Sequence, residues 1–251
     1  MHPPFSYAGA CLSCGTDHTF TGIDCSASAR SVMEDLARSG SFSQLPGHDL
    51  QSTDFLFGQA RGKMFGVMQC LDSEGKILAL KAFSGQFNGL WLVEGWVPPL
   101  FDVEEWNRIN TPAEREIKRL GEEMQSCPTG SLRRQELQQA RKILSQKLMK
   151  ELHAVYRLTN FRGKTLSLKD IFSEKTGIPT GTGDCCAPKL FNFAATRNLI
   201  PIGIAEFYWG RENKSATKLH GRFYPPCTEK CRPILGFMLC GLEVAHARHK
   251  T

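Results

Sequence analysis

Three residues separate Cys227 from Cys231, in Pro226-Cys227-Thr228-Glu229-Lys230-Cys231. On a helix, two thiols at that spacing share one face and can grip a single ion. Cys185 and Cys186 form a second pair, in a Gly-rich turn (IPTGTGDCCAPKLFNF) whose pattern leads into a helix. Thiolates at a helix start are favoured by the exposed N–H groups and the helix dipole. Zinc takes four tetrahedral ligands, or three with one position open. Cys185 or Cys186, with Cys227 and Cys231, supplies three of them. His220 precedes Cys227 in sequence and is a candidate fourth ligand or proton carrier. The competing reading is a set of buried thiols or plain hydrogen-bonded side chains.

Two carboxylates belong to the same chemistry. Asp184 abuts the cysteine pair, and Glu206 lies on the apolar stretch between the two cysteine segments. Each is a candidate acid/base group beside a metal-bound water, and a structural carboxylate is the ordinary alternative. A further C-x-x-C, Cys11-Leu12-Ser13-Cys14, has His18 and Cys25 close by and suggests a second metal site, or thiols that complete the downstream one. Gly181 and Gly183 form a G-x-G, a weak phosphate signal without a clear preceding strand. Tyr208, Trp209 and Phe223 can stack a base or fill a core.

These residues need elements to position them. KMFGVMQC, DSEG and KILALKAF predict a β-hairpin over 63–83. LIPIGIAEFYWG predicts a strand, and the segment led by Cys231 predicts a helix. Residues 111–158 predict helix, opened by Thr111, Pro112 and Glu114 and broken into a hairpin at CPTG. Residues 1–60 predict an irregular, cysteine-containing arm with one short helix at SARSVMEDLAR. The expected fold is α/β: a small mixed sheet flanked by helices over 61–251, with a helical insertion at about 102–160.

Composition narrows the classes. The apolar fraction of 41% supports a globular core rather than disorder. No run of about 18 apolar residues predicts a membrane span. The amino terminus does not read as a secretory signal, so a cytoplasmic location is expected, where disulfides do not persist. Cys70, in an apolar run, reads as a core thiol. The net charge of +6 is compatible with a polyanion such as RNA. Arg133, Arg134, Arg141, Lys142 and Lys147 on the second helical arm are candidate phosphate contacts, or a solvated helix face.

The order of ligand-bearing helix, strand and Pro-Cys-led helix resembles the zinc-dependent cytidine deaminase superfamily. There a His or Cys, one residue, then Glu opens one helix, and P-C-x-x-C opens the next. Aligned on Pro188-Lys189-Leu190, the resemblance puts Cys185 at the metal ligand and Ala187 where the catalytic Glu belongs. It also implies two residues between the later cysteines where this chain has three, and further strands beyond the second helix. Four stretches also resemble the N-terminal region of some bacterial RluA-type RNA pseudouridine synthases. They are GKMFGVMQC with LALKAFSGQFNG, WVPPLFD, GTGDCCAPKLFNFA with AEFYWG, and HGRFYPPCTEKCRPIL. The synthases' own His-Arg-Leu-Asp-like catalytic stretch is absent from this sequence.

Together these patterns imply a Zn2+-binding, deaminase-like accessory module of RNA modification. It is expected to bind tRNA or rRNA, with a separate pseudouridine synthase chain as a further expected partner. The alternatives are a zinc-dependent deaminase or hydrolase using Asp184 or Glu206, and a structural protein docking through its helical hairpin.

Overall fold

The computed structural model describes residues 5–41, 52–172 and 177–249. The expected hairpin is β3 (Lys63–Leu71) and β4 (Ile77–Phe83). Its turn is closed by the Asp72 carboxylate, which accepts from the N–H groups of Glu74 and Lys76, with Gly75 at a φ of 80°. The predicted strand at LIPIGIAEFYW is β7 (Ile200–Trp209), paired to the free edge of β3. The sheet order is therefore β4-β3-β7.

The sheet corrects the mixed topology expected from sequence. Both ladders are antiparallel. β4 and β7 run in one direction, but β3 lies between them, so they form no parallel ladder. Among the described residues, parallel pairing is confined to the isolated bridge Ile23–Gly203.

β3 alternates as a strand covered on both faces must. Phe65 and Val67 face one core with Phe83, Phe207 and α1 (Ser26–Ser39). Met68 and Cys70 face the other, with Leu190 and Phe191 of α5 (Cys186–Thr196) and Ile234, Leu235 and Met238 of α6 (Arg232–Leu239). Gly66 makes the helix contact possible: a Cβ there would stand 2.7 Å from the Cβ of Cys186.

The amino-terminal arm is more ordered than its composition suggests. α1 forms where expected. Ahead of it, β1 (Tyr7–Cys11) and β2 (Thr16–Phe20) make an antiparallel hairpin. Tyr7, Cys11 and Phe20 belong to the same buried cluster as α5 and α6. β1 crosses α6 at two glycines. A Cβ on Gly9 would lie 2.2 Å from the Arg232 carbonyl oxygen, and one on Gly236 2.2 Å from that of Ala10.

The helical insertion is α2 (Val103–Ser126) and α3 (Leu132–Val155), broken at CPTG as predicted. Its start differs. Asp102, not Thr111, is the N-cap, its carboxylate accepting from Glu105 N–H at 2.8 Å. Pro112 sits inside the helix on an exposed face, where water can satisfy the carbonyl that its missing N–H leaves free. Three short elements, β5 (Leu158–Thr159), β6 (Thr165–Leu166) and α4 (Leu168–Ile171), follow the insertion. α7 (Leu242–His249) follows α6. Among the described residues no helix is long and apolar enough to cross a membrane.

Gly236→Ala tests the β1–α6 crossing. In an open helix this change stabilises by up to about 1 kcal/mol. Here the methyl meets backbone, and the expected sign is reversed, a loss of about 1–3 kcal/mol in urea unfolding.

Candidate metal centre

Two helix starts build the centre. Cys185 is the extended N-cap residue of α5, following a left-handed turn at Gly181 and Gly183. Cys231 is the N-cap residue of α6, with Pro233 in the first turn. Cys227 lies in the turn before α6, which is closed by Arg232 N–H donating to the Cys227 carbonyl at 3.3 Å. The two cysteines therefore meet through a tight turn into the helix, rather than along a helical face as the spacing suggested. The sulfurs of Cys185, Cys227 and Cys231 all lie within 4.8 Å of one another, and those of Cys227 and Cys231 are 3.3 Å apart.

The three thiols are electrostatically coupled. Cys185 and Cys231 hydrogen-bond to Cys227 and pull its ionisation down to about 2. Cys185 is held above the ordinary thiol range by its bond to Cys227, then by burial. Cys231 is likewise held up, first by its bond to Cys185. One negative charge is easy to place here and three are not, unless a cation is shared. Soft thiolates at this separation suit zinc.

The structure separates the adjacent cysteines. Cys185 belongs to the centre, while Cys186 is fully buried and points at β3, its thiol donating to the Met64 carbonyl at 3.3 Å. A one-residue step at the start of a helix turns the side chain by about 100°, so only one of the pair can face the group. His220 is not brought in. Its Nδ1 accepts from Gly210 N–H at 3.1 Å and its ring packs against Trp209. Tyr208 and Trp209 are buried, and Phe223 packs on Phe207.

The two candidate carboxylates have different surroundings. Asp184 accepts from the Tyr156 hydroxyl at 2.8 Å and is hemmed in by Lys189, Lys230 and Lys63; burial still raises its pKa. Glu206 lies beneath the thiols, 3% exposed, with burial lifting its pKa to about 7. Its Oε1 accepts from Ala187 N–H at 3.2 Å. Its Oε2 and the neighbouring Tyr7 hydroxyl both stand outside hydrogen-bond geometry, although Tyr7 faces the carboxylate closely enough to be perturbed by it.

Lys189 was not singled out in the sequence, yet its side chain is 1% exposed. Its ammonium donates to the carbonyls of Phe83 and Gly85 at 2.9 and 3.0 Å and lies over the Phe83 and Trp91 rings. A long chain with a terminal donor, in an apolar run, carried no hint of this role.

The other C-x-x-C is also rearranged. Cys11 and Cys14 gather with His18 and Cys240, their ligand atoms within 4.8 Å. Cys25 lies elsewhere, as the N-cap residue of α1 with its thiol 3.6 Å from the Gln69 side-chain oxygen. Nearness in sequence to Cys14 did not bring it there, because β2 carries the chain away from the knuckle.

The cations of α3 divide. Arg133 pairs with Glu123 at 2.5 Å and with Glu136 at 3.5 Å. Arg134 donates to the carbonyls of Met124 and Cys127, closing the end of α2. These two hold the hairpin together. Lys147 makes a loose pair with Glu151 at 3.9 Å, and Arg141 and Lys142 line a shallow recess with Met124 and Gln138. A second basic stretch leads to the centre itself. Arg211, Lys214, Lys218, Arg222, Lys230 and Arg232 stand against Glu212 and Glu229 on the segment that delivers Cys227 and Cys231. The Lys218 ammonium sits 3.8 Å over the Tyr224 ring and feels the three thiols and Glu206.

Comparison with protein-family models, with curated proteins and with solved structures finds no match.

Burial holds the Lys189 ammonium at about 8, against 10.5 for a free lysine. Below 8 it is charged in both the folded and the unfolded state. Between 8 and 10.5 the folded state has released a proton that the unfolded state keeps, so stability rises with pH across this window. The rise is about 3 kcal/mol at most. Urea unfolding of the wild type and Lys189→Met from pH 7.5 to 10.5 checks it, since the variant retains every titration except this one.

Proposed function

We propose that this chain is a zinc-binding, deaminase-like accessory module of RNA modification. In this reading the metal shapes an RNA-binding surface. The observation that carries it is the coincidence of the two features on one segment: the stretch from Arg211 to Arg232 is strongly basic and also supplies two of the three clustered thiols. Bound zinc would supply a double positive charge and a fixed geometry. Cys185, Cys227 and Cys231 would hold it, and the segment between β7 and α6 would be tied to the start of α5. Lys218 and Arg222 are then the cations offered to phosphate, with Tyr224 as a stacking surface beside Lys218, while Arg211 pairs with Glu212. Arg141 and Lys142 on α3 extend the basic area. The hairpin β3–β4, the helix α5, the strand β7 and the helix α6 follow one another in the order that the resemblance to deaminases implies.

Two measurements test this reading together. Zinc per chain is counted by mass spectrometry for the wild type and for Cys227→Ser/Cys231→Ser. Binding of a tRNA transcript is titrated against salt for the same proteins and for Lys218→Ala/Arg222→Ala. The cysteine variant is expected to lose one zinc and to bind RNA about tenfold or more weakly. The basic-loop variant should keep its zinc, bind more weakly, and show a salt slope shallower by about one per lost phosphate contact. Unchanged affinity and slope in the basic-loop variant would remove the loop as the RNA face. Unchanged zinc in the cysteine variant would remove the centre.

A second reading rests on Glu206. Its carboxylate accepts from the backbone N–H of Ala187, the residue that the resemblance aligns with the helix acid of the deaminases. A glutamate on the neighbouring strand can thus offer a proton shuttle in nearly the same place. Water would add at the carbon bearing an amino group, and ammonia would leave. Ammonia release from cytidine, adenosine and single-stranded RNA reads this directly. Activity that vanishes in Glu206→Gln with zinc and fold retained supports it; no ammonia from any of them with zinc-loaded wild type rejects it for these substrates.

A further inference from the structure

We propose that Cys11, Cys14, His18 and Cys240 form a second zinc site, closed and structural, that bolts the amino-terminal hairpin to the far end of α6. The ligand geometry comes first. The Cys14 and Cys240 sulfurs are 3.8 Å apart. That is the edge of a tetrahedron of thiolates around zinc, about 3.8 Å for bonds of about 2.3 Å. A disulfide would need about 2.05 Å and would leave the other two groups without a purpose. His18 Nε2 is 3.1 Å from the Cys14 sulfur, and all four ligand atoms fit within 4.8 Å.

The surroundings fit a metal knuckle. Cys11 ends β1 and Cys14 lies in the turn, which is closed by Gly15 N–H donating to the Cys11 carbonyl at 2.8 Å with Gly15 at a φ of 75°. The Thr16 backbone and hydroxyl both engage the Cys14 sulfur. His18 turns Nε2 to the sulfurs while its Nδ1 lies 3.9 Å from the Glu243 carboxylate. Three thiolates, a neutral imidazole and a dication leave one negative charge. Arg162, beside Cys240 and 4.0 Å from Glu243, and Lys164, bonded to the Ser13 hydroxyl at 2.8 Å, offset it.

The site has a clear place in the fold. Cys231 is the N-cap residue of α6 and Cys240 its C-cap residue. The helix would be pinned by a metal at each end, with β1 lying across its middle at Gly9 and Gly236. β1 also carries Tyr7 to Glu206. Four protein ligands leave no open position, so the second ion would hold structure and take no substrate.

The test does not depend on the first centre or on RNA. Wild-type protein should contain two zinc ions per chain, and Cys14→Ser/Cys240→Ser one. The zinc left in Cys227→Ser/Cys231→Ser is then examined by X-ray absorption. It should show three sulfurs at about 2.3 Å and one nitrogen at about 2.0 Å, and four sulfurs when His18→Cys is added. No zinc in the wild type, unchanged zinc in a folded Cys14→Ser/Cys240→Ser, or a remaining zinc without the nitrogen overturns the proposal. If Cys14→Ser/Cys240→Ser does not fold, the absorption spectrum decides, because that protein leaves the second site untouched. If instead Cys227→Ser/Cys231→Ser keeps all its zinc while Cys14→Ser/Cys240→Ser loses it, the first centre fails and this site stands.

Discussion

Three thiols gathered within 4.8 Å, with Cys231 almost wholly buried, cannot all ionise together without a shared cation. Much of the fold serves that gathering. Cys185 and Cys231 begin α5 and α6, so the two helix starts must lie side by side. α5 reaches its position only because β3 has Gly66 beneath Cys186. α6 reaches its position by packing Ile234, Leu235 and Met238 into the same core.

Beneath the thiols the interior is unusually polar. Glu206, Asp184, Lys189 and Tyr156 are all buried or nearly so. Asp184 and Lys189 have defined partners: one ties the start of α5 to the end of α3 through Tyr156, the other donates to the carbonyls of Phe83 and Gly85 at the end of β4. Glu206 accepts from Ala187 N–H through one oxygen and faces the buried Tyr7 hydroxyl, so a titratable pair lies directly under the thiols.

The amino-terminal hairpin changes the view of the chain as arm plus domain. It supplies Tyr7 to the polar interior, two glycine-lined crossings to α6, and two cysteines and a histidine to the second cluster. Its own strands are short, and a two-stranded hairpin alone is marginal in water. Its order therefore comes from its packing against α6. In the helical insertion Arg133 and Arg134 bond across to α2, so these two cations of the expected binding face are engaged within the hairpin.

Periodicity and local chemistry determined a good deal on their own. Two apolar runs around DSEG specified the β3–β4 hairpin, an apolar β-branched run specified β7, and Pro and Gly at 128 and 130 specified the break between α2 and α3. These are signals read within about ten residues. The grouping of Cys185, Cys227 and Cys231 was also legible, because helix starts and cysteine spacing restrict where thiols can point. Tertiary structure decided what depends on direction and on distance along the chain. It chose Cys185 over Cys186, because the sheet takes one face of α5. It excluded His220, which the end of β7 turns toward Trp209, and beside Cys11, Cys14 and His18 it put Cys240 in place of Cys25. Cys240 lies more than two hundred residues from Cys14, and only the packing of β1 on α6 brings them within 3.8 Å.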